Sequence, residues 1–166
     1  IPLKLSSTLS PEEPDIAQTP AKEVYEQVLK DMIEAEGLVS SISDLGFGGR
    51  VSKSAVQGII ARTCLYMAGN PIHDVSKYQE ARNWAKKVMD AGIHELNPSY
   101  SQVFINYAQD LYDIKESIWE VEFWGNYEPP YAQAGRIGLN FGVLYNGATA
   151  NSGVSYGWVQ GTAWLY

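Results

Sequence analysis

The sequence predicts a mainly α-helical protein whose last third contains a β-hairpin and long irregular loops. Three stretches before residue 93 repeat apolar residues at three- and four-residue spacing, which is typical of amphipathic helices. Residues 116–123 instead alternate polar and apolar side chains, as a half-buried strand does. Residues 126–166 have only two charged side chains among many aromatics and seven glycines. We therefore expect a helical scaffold over residues 1–97 and a strand and aromatic loop region of the same domain over residues 98–166, truncated at its C-terminus.

The first predicted helix begins after Thr19. Pro20 suits the first helical position, where its missing N–H costs nothing, and Glu23 lies near the positive end of the helix dipole. Gly37 is predicted to end the helix. The apolar residues of the predicted buried face are Ala21, Val24, Tyr25, Val28, Met32 and Ala35.

The second predicted helix begins with Ser52 as its cap, and Val51 and Val56 are placed to form a hydrophobic staple across that cap. Its apolar residues cover more than one stripe, which predicts the most buried helix of the protein. Cys64, the single cysteine, lies within this apolar run and is predicted to be a buried core residue. The glycine-rich segment 46–49 before this helix is predicted to be a turn, and an anion cradle is the alternative.

The third predicted helix begins with a capping box at residues 76–79 and ends at Gly92. Its predicted inward-facing residues are Tyr78, Ala81, Ala85 and Val88. Leu65 and Tyr66 ahead of a Gly-Asn turn, followed by the small residues of the third helix, make the second and third helices resemble a tetratricopeptide-type hairpin. The fold class we predict is therefore tetratricopeptide-like helical hairpins followed by a β-hairpin and long loops.

Composition excludes several classes of function. The formal net charge is -7, and the twelve basic residues are scattered, which argues against nucleic acid and against an anionic membrane surface. No apolar run is long enough to span a bilayer. His73 and His94 have no cysteine or carboxylate at metal-ligand spacing, so we predict no metal and no cofactor. The chain opens without an initiator Met or a signal peptide, and we expect it to be a piece of a longer protein.

The order of segments resembles the SusD/RagB family of outer-membrane nutrient-binding lipoproteins. The matching pieces are the leading Ile-Pro-Leu, then VYEQVLKDMIEAEGLV, GRVSKSAVQGIIARTCLYMAGN, KYQEARNWAKKVMDAGIHEL with Tyr100 and Phe104 downstream, and ESIWEVEF. Together they cover about residues 1–124 in the family's order. Members of the family are several times longer and have an amino-terminal lipid-modified cysteine. Cys64 does not match that anchor, so the resemblance implies an internal fragment.

The resemblance implies a function as well as a fold. It implies non-catalytic binding of oligosaccharide or polysaccharide nutrients at the cell surface, and delivery of the glycan to a SusC-like, TonB-dependent outer-membrane transporter. It also implies an outward-facing lipoprotein of the outer membrane, held there by a lipid anchor that this chain lacks.

The charge-poor tail is where we expect the glycan to bind. A flat aromatic ring covers the apolar C–H face of a pyranose, while amides and a guanidinium hydrogen-bond its hydroxyls. Tyr127, Tyr131, Tyr156 and Trp158 are predicted to be exposed, whereas Phe141, Tyr145 and Trp164 have apolar neighbours typical of a core. The candidate carbohydrate-binding residues are Trp124, Asn126, Tyr127, Tyr131, Arg136, Tyr156 and Trp158.

Two other classes of function remain open from the sequence. Glu120 and Glu122 would stand roughly 7 Å apart on a strand, a separation that glycoside hydrolases use, although the solvated face of a strand explains the same pattern. A helical protein–protein interaction module is the other alternative, and it would use the helical hairpins to hold a partner.

Overall fold

The computed structural model describes residues 1–7, 16–122, 140–147 and 155–159. Five helices lie in this described part of the chain, and they are α1 (Ala21–Leu38), α2 (Ile42–Leu45), α3 (Lys53–Ala68), α4 (Lys77–Asp90) and α5 (Tyr100–Ala108). The chain divides into two compact units, Ile1–Glu120 and Val121–Tyr166, and all five helices belong to the first. The mainly helical class predicted from sequence is confirmed. No helix in the described ranges has the length and apolar character that crossing a membrane requires.

Helix α3 is the centre of the first unit and packs against both α1 and α4. Ser52 caps it as predicted, since its Oγ accepts a hydrogen bond from the backbone N–H of Ala55 at 3.3 Å. Ten of its sixteen residues are buried, more than in α1 or α4, which confirms the prediction that this helix is the most buried. The core cluster consists of Leu29, Val56, Ile60, Cys64, Met67 and Ala81.

Cys64 is fully buried in this core, as the apolar run around it predicts. Burial disfavours the charged thiolate and so raises the pKa of the Cys64 thiol above its usual range. The side chain therefore acts as a small apolar group that fills space between α3 and its neighbours.

Helix α1 differs from the sequence prediction at both ends. Pro20 is extended, with φ -54° and ψ 139°. It therefore lies at the N-cap position, just before the helix, and not in the first turn. The helix also continues past Gly37 to Leu38. Its last hydrogen bond is donated by the N–H of Val39 to the carbonyl of Ala35. A glycine costs a helix only about 1 kcal/mol relative to alanine, which does not by itself end a helix packed against a core.

The predicted buried face of α1 is also shifted. Leu29, which the three-and-four pattern left out, is the one buried residue of this helix, whereas Val28 is exposed. Tyr25 and Met32 are half-buried and pack against the core cluster. The face that meets α3 is therefore rotated from the predicted one towards Leu29.

Helix α4 begins directly after Ser76 as predicted, but the capping box is absent. Ser76 has helical dihedral angles instead of the extended ones that a capping serine adopts, and it makes no side-chain cap. Its hydroxyl donates a hydrogen bond to Asp74 Oδ1. That hydrogen bond is the main cause that lowers the pKa of Asp74.

Two of the four residues predicted to face inward on α4 are buried. Ala81 and Val88 are buried, but Tyr78 is 54% exposed and Ala85 is exposed. Trp84 packs against the core in their place, and the ammonium of Lys87 lies 3.6 Å from the centre of its ring. The helix ends at Asp90, two residues before Gly92.

Residues 116–122 do not form the predicted strand. Asp113 Oδ1 accepts hydrogen bonds from the backbone N–H groups of Lys115 and Glu116, and its carbonyl accepts one from Ser117 at 2.9 Å. Such local side-chain bonds turn the backbone and compete with strand pairing. The antiparallel pairing seen in the described residues is a single bridge between Tyr145 and Ser155, so a β-hairpin is not supported.

The glycine-rich segment 46–49 is a turn, as predicted, and the 117–120 segment lies against it. Gly46 closes α2 with φ 79°, and the carbonyl of Gly48 accepts a hydrogen bond from the N–H of Glu120 at 3.1 Å. A Cβ on Gly48 would lie 2.8 Å from Ser117 Oγ and 3.3 Å from Glu120 Cγ. A residue with a Cβ at position 48 would force the Ser117 and Glu120 side chains to shift.

Helix α5 was not predicted from the sequence. Ser99 caps it by accepting from the N–H of Gln102 at 3.4 Å, and none of its residues is buried. Tyr100 and Phe104, one turn apart, meet edge to face with ring centres 5.1 Å apart. A serine cap followed by apolar residues at three- and four-residue spacing was the signal that could have revealed this helix.

Ile60 offers a test of the core. Replacing it with alanine removes a fully buried side chain, and we expect Ile60→Ala to lower the free energy of unfolding by about 2–5 kcal/mol. Leu65→Ala is the matched control, because Leu65 lies on the same helix but is 52% exposed, and we expect a change within about 0.5 kcal/mol. Urea denaturation followed by circular dichroism measures both. Equal losses in the two variants would contradict the assignment of α3 as the central helix.

Gly48 offers a test of the packed turn. We expect Gly48→Ala to lower the free energy of unfolding by about 1–3 kcal/mol, because the added methyl group meets Ser117 and Glu120. Gly58→Ala is the matched control within α3, where a Cβ would meet nothing within 4 Å, and we expect it to stabilise the protein by about 0.5–1 kcal/mol. A stabilising Gly48→Ala in the same denaturation experiment would show that the turn and the 117–120 segment are not in contact.

Candidate functional site

Two of the seven predicted carbohydrate-binding residues, Tyr156 and Trp158, lie in the described part of the chain. The other five, Trp124, Asn126, Tyr127, Tyr131 and Arg136, fall outside the described residues. The geometry of the candidate site therefore rests on the stacked pair of Tyr156 and Trp158 in the second unit.

The rings of Tyr156 and Trp158 stack on each other. Their centres are 5.1 Å apart and their planes differ by 17°, within the range that offset-stacked aromatic pairs favour. Tyr156 is 45% exposed and Trp158 is 73% exposed, so both are exposed as predicted. Gly157 between them has φ 56°, a left-handed conformation that residues with a Cβ rarely adopt. The backbone between the rings therefore depends on glycine.

Backbone hydrogen bonds hold the stacked pair from both sides. On one side Tyr145 and Ser155 exchange two N–H···O bonds of 2.9 and 3.1 Å. On the other side the carbonyl of Asn140 accepts from the N–H groups of Trp158 and Val159, at 2.8 and 3.3 Å. Because these bonds come from the main chain, they fix the backbone of residues 155–159 while leaving the two side chains uncovered.

The aromatics predicted to be core residues are not buried. Phe141 is 59% exposed and Tyr145 is 43% exposed, and Trp164 falls outside the described residues. The apolar neighbours that suggested a core are exposed as well, since Val143 is 89% and Leu144 is 57% exposed. The prediction was wrong for Phe141 and Tyr145 because apolar neighbours in sequence bury a side chain only when a second layer covers them.

Residues 140–147 and 155–159 of the second unit therefore present apolar and aromatic surface without charge. They contain no ionisable acid or base except the tyrosine hydroxyls. A stacked, solvent-facing aromatic pair in such surroundings favours a neutral ligand with a flat apolar face over an ionic ligand. A pyranose ring has such a face, and its hydroxyls need polar partners of the kind predicted at Asn126 and Arg136.

Glu120 and Glu122, the pair that a glycoside hydrolase would use, do not lie on one face of a strand as that hypothesis assumed. The spacing of roughly 7 Å assumed a strand, and residues 116–122 form none. Glu120 Oε2 accepts a hydrogen bond from the Tyr107 hydroxyl, and Glu122 Oε1 is buried without a hydrogen-bond partner among the described residues. The hollow beside Glu120, also lined by Asp113 and Glu116, has a volume of about 10 Å³, which is room for one water and not for a sugar.

A larger cavity, which no pattern in the sequence indicated, lies along α1. It has a volume of about 310 Å³ and is lined mainly by apolar side chains. The lining residues are Ile1, Gln18, Thr19, Ala21, Val24, Tyr25 and Val28. No residue predicted to bind carbohydrate contributes to it.

Neither histidine belongs to a metal cluster within the described ranges, where no group of three metal-ligating side chains occurs. His94 is instead held by hydrogen bonds, with Ser54 Oγ 2.8 Å from Nε2 and the Lys115 carbonyl 3.2 Å from Nδ1. This contact joins residues 40 positions apart in sequence.

The fold matches a solved structure, that of a SusD homolog from Bacteroides thetaiotaomicron. The two superimpose with a TM-score of 0.70 and 25% sequence identity over 86% of this chain. The chain is SusD-like. It spans 28% of the length of that homolog. No protein-family model matches the sequence, and no curated protein matches it.

The SusD-like assignment confirms the family resemblance predicted from the order of sequence segments. The match covers 86% of this chain.

Tyr107 allows a test of the contact with Glu120. The hydrogen bond to Glu120 and burial raise the pKa of Tyr107 to about 12. Because the folded protein holds this proton more tightly than the unfolded chain does, the contribution to stability is complete below the ordinary tyrosine pKa of 10.0 and is lost as the pH rises towards 12. We expect this loss in denaturation curves at increasing pH, and we expect it to be absent in Tyr107→Phe.

Glu120→Gln separates charge from hydrogen bonding in the same experiment. The carboxamide oxygen still accepts from Tyr107, so the largest cause of the raised pKa is kept, but the negative charge is gone. We therefore expect the pKa of Tyr107 to fall part of the way towards its ordinary value. Absorbance titration of the tyrosines, with Tyr107→Phe as the reference, measures this shift. Glu95→Gln is the matched control. It removes a carboxylate that pairs with Lys115 at 2.6 Å instead of with Tyr107, so the titration of Tyr107 should not change. An unchanged Tyr107 titration in Glu120→Gln would contradict the contact.

Proposed function

We propose that the protein binds oligosaccharide or polysaccharide nutrients without cleaving them. The SusD-like fold supports this function. The single observation that supports a location for the binding site is the stacked pair of Tyr156 and Trp158. Each ring offers a flat apolar face, and the two lie nearly parallel, so a sugar that stacks on Trp158 meets a surface already ordered. Trp124, Asn126, Tyr127, Tyr131 and Arg136 complete the proposed site.

The proposed setting is the outer face of the outer membrane. In this proposal the protein is an outward-facing lipoprotein of the RagB type, and its tetratricopeptide-like helices over residues 1–97 hold the glycan-binding region over residues 98–166. It delivers the captured glycan to a SusC-like, TonB-dependent transporter. The family resemblance supports this setting.

A shallow platform leaves much of the ligand in contact with water. We therefore expect affinities for single oligosaccharides in the micromolar to millimolar range. Binding at several sites along one polysaccharide would raise the apparent affinity without any new contact at this site.

Trp158→Ala tests the proposed site directly. Removing the more exposed ring of the pair should weaken binding by about 1–3 kcal/mol, the range measured for stacking on an aromatic side chain. Trp158→Phe keeps a flat ring and should retain part of the affinity. Isothermal titration calorimetry against a panel of soluble gluco-, galacto-, manno- and xylo-oligosaccharides measures both.

Trp119→Ala is the matched control for this test. Trp119 is 49% exposed and belongs to the first unit, so its loss should leave sugar binding unchanged. Unaltered affinity in both Trp158→Ala and Tyr156→Ala would place the binding site elsewhere. Release of reducing sugar by the protein, abolished in Glu120→Gln, would favour a glycoside hydrolase instead.

A helical protein–protein interaction module is the second candidate, and α5 is the observation that favours it. Tyr100 is 79% and Phe104 is 56% exposed on one face of this helix, and exposed aromatics of this kind are enriched at protein interfaces. In that case the double variant Tyr100→Ala and Phe104→Ala would weaken capture of a protein partner and leave sugar binding intact.

A further inference from the structure

The cavity along α1 is lined by part of the apolar face that the sequence predicts for this helix. The helix is rotated so that Leu29 enters the core with α3. Four of the six residues predicted to be buried on α1 line the cavity, and they recur at three- and four-residue spacing along one face. The apolar pattern of α1 is therefore divided between the core and the cavity. The four residues at the cavity are Ala21, Val24, Tyr25 and Val28.

Two hydrogen bonds at Thr19 hold residues 1–3 beside this face of α1. The N–H of Thr19 donates to the carbonyl of Ile1, and Thr19 Oγ1 accepts from the N–H of Leu3, both at 3.1 Å. Ile1 and Thr19 both line the cavity. Two segments of the chain that are bonded to each other therefore form the cavity, which distinguishes it from an open helix face.

Three polar side chains lie among the apolar ones that line the cavity, and they are Gln18, Thr19 and Tyr25. Within the described residues, the Gln18 carboxamide and the Tyr25 hydroxyl make no hydrogen bond, and the Thr19 hydroxyl accepts one but donates none. Sites for small molecules are mostly apolar hollows with a few polar groups that can bond to the ligand. The cavity along α1 has this composition.

The size of the cavity and the neutral character of its lining define the ligand that it fits. Its volume of about 310 Å³ is at the lower end of the range of roughly 300–1,000 Å³ for ligand pockets, and it is about twice the roughly 150 Å³ that holds benzene. None of the seven side chains that line it is charged, and the formal net charge of the chain is -7. An anion would lose its hydration there without gaining a cationic partner, whereas a neutral apolar molecule loses little.

We infer that the cavity along α1 binds a small uncharged molecule that has an apolar body the size of two fused rings and a hydrogen-bonding group. The apolar body displaces water from Val24 and Val28 and contacts the ring of Tyr25. Its polar group bonds to one of the three polar side chains of the lining. Neither Tyr156 nor Trp158 contributes to the cavity, so this site is independent of the proposed glycan site.

Titration of the full chain with naphthalenemethanol tests this inference, because this probe is neutral and has two fused aromatic rings and one hydroxyl group. We expect saturable binding of one molecule per chain, with a dissociation constant in the micromolar to millimolar range. In NMR spectra the largest changes in methyl shifts should be those of Ala21, Val24 and Val28, which line the cavity. Naphthoate, in which a carboxylate replaces the hydroxymethyl group, should bind about 10-fold more weakly or less.

Ala21→Leu tests the cavity itself. The larger side chain occupies the space that the probe needs, so the affinity for naphthalenemethanol should fall about 10-fold or more. Leucine favours a helix nearly as well as alanine does, so we expect the helical circular dichroism to be kept. Ala85→Leu is the matched control, because it makes the same change at an exposed helical alanine outside the cavity. It should bind the probe as the unsubstituted protein does, and so should Trp158→Ala.

Several results would overturn the inference. Absence of saturable binding, shift changes confined to residues outside the cavity, or equal affinity for naphthoate would do so in the unsubstituted protein alone, whether or not Ala21→Leu folds. Unchanged affinity in a folded Ala21→Leu variant would also do so. Loss of binding in Trp158→Ala would assign the probe to the stacked aromatic pair, and a dimer that Ala21→Leu dissociates would assign the cavity to a second copy of the chain.

Discussion

Burial of α3 between α1 and α4 is the constraint on which the first unit depends. Ile60, Cys64 and Met67 are completely buried on this helix, and removing such side chains from water is the main force available to a domain of this size. Ser52 begins the helix at a fixed residue and is itself buried. Ser52 Oγ also lies 3.2 Å from Ser54 Oγ, which in turn lies 2.8 Å from His94 Nε2, so the start of α3 is linked to the 93–120 segment.

The 93–120 segment has little regular structure besides α5, and specific polar contacts fix its course. Asp113 organises a turn, Asn97 binds that turn, and Glu120 accepts from Tyr107. The approach of Ser117 to Gly48 adds a close packing contact. Each contact depends on one or two side chains, whereas the α3 core depends on many. This segment should therefore open before the core does.

The second unit uses a different means to present its aromatics. Its described residues are held by main-chain hydrogen bonds at Asn140, Tyr145 and Ser155, and the rings of Tyr156 and Trp158 are left exposed. Leaving large aromatic rings in water costs free energy that burial would have recovered. A ligand that covers the rings recovers part of it, which is the physical basis of the proposed sugar site.

The sequence by itself determined the Ser52 cap, the burial of Cys64 and the central place of α3, which follow from the spacing of residues within one helix. The order of segments along the chain also indicated the SusD-like fold. Only the tertiary structure decided the end of α1 beyond Gly37, the absence of a strand at 116–122, the exposure of Phe141 and Tyr145, and the meeting of Ser54 with His94. Periodicity and capping report contacts between residues three or four apart, whereas Ser54 and His94 are 40 positions apart in sequence. Phe141 and Tyr145 are exposed because no second layer covers them. The missing strand has a local cause, the turn that Asp113 organises, which alternation of polar and apolar residues does not report.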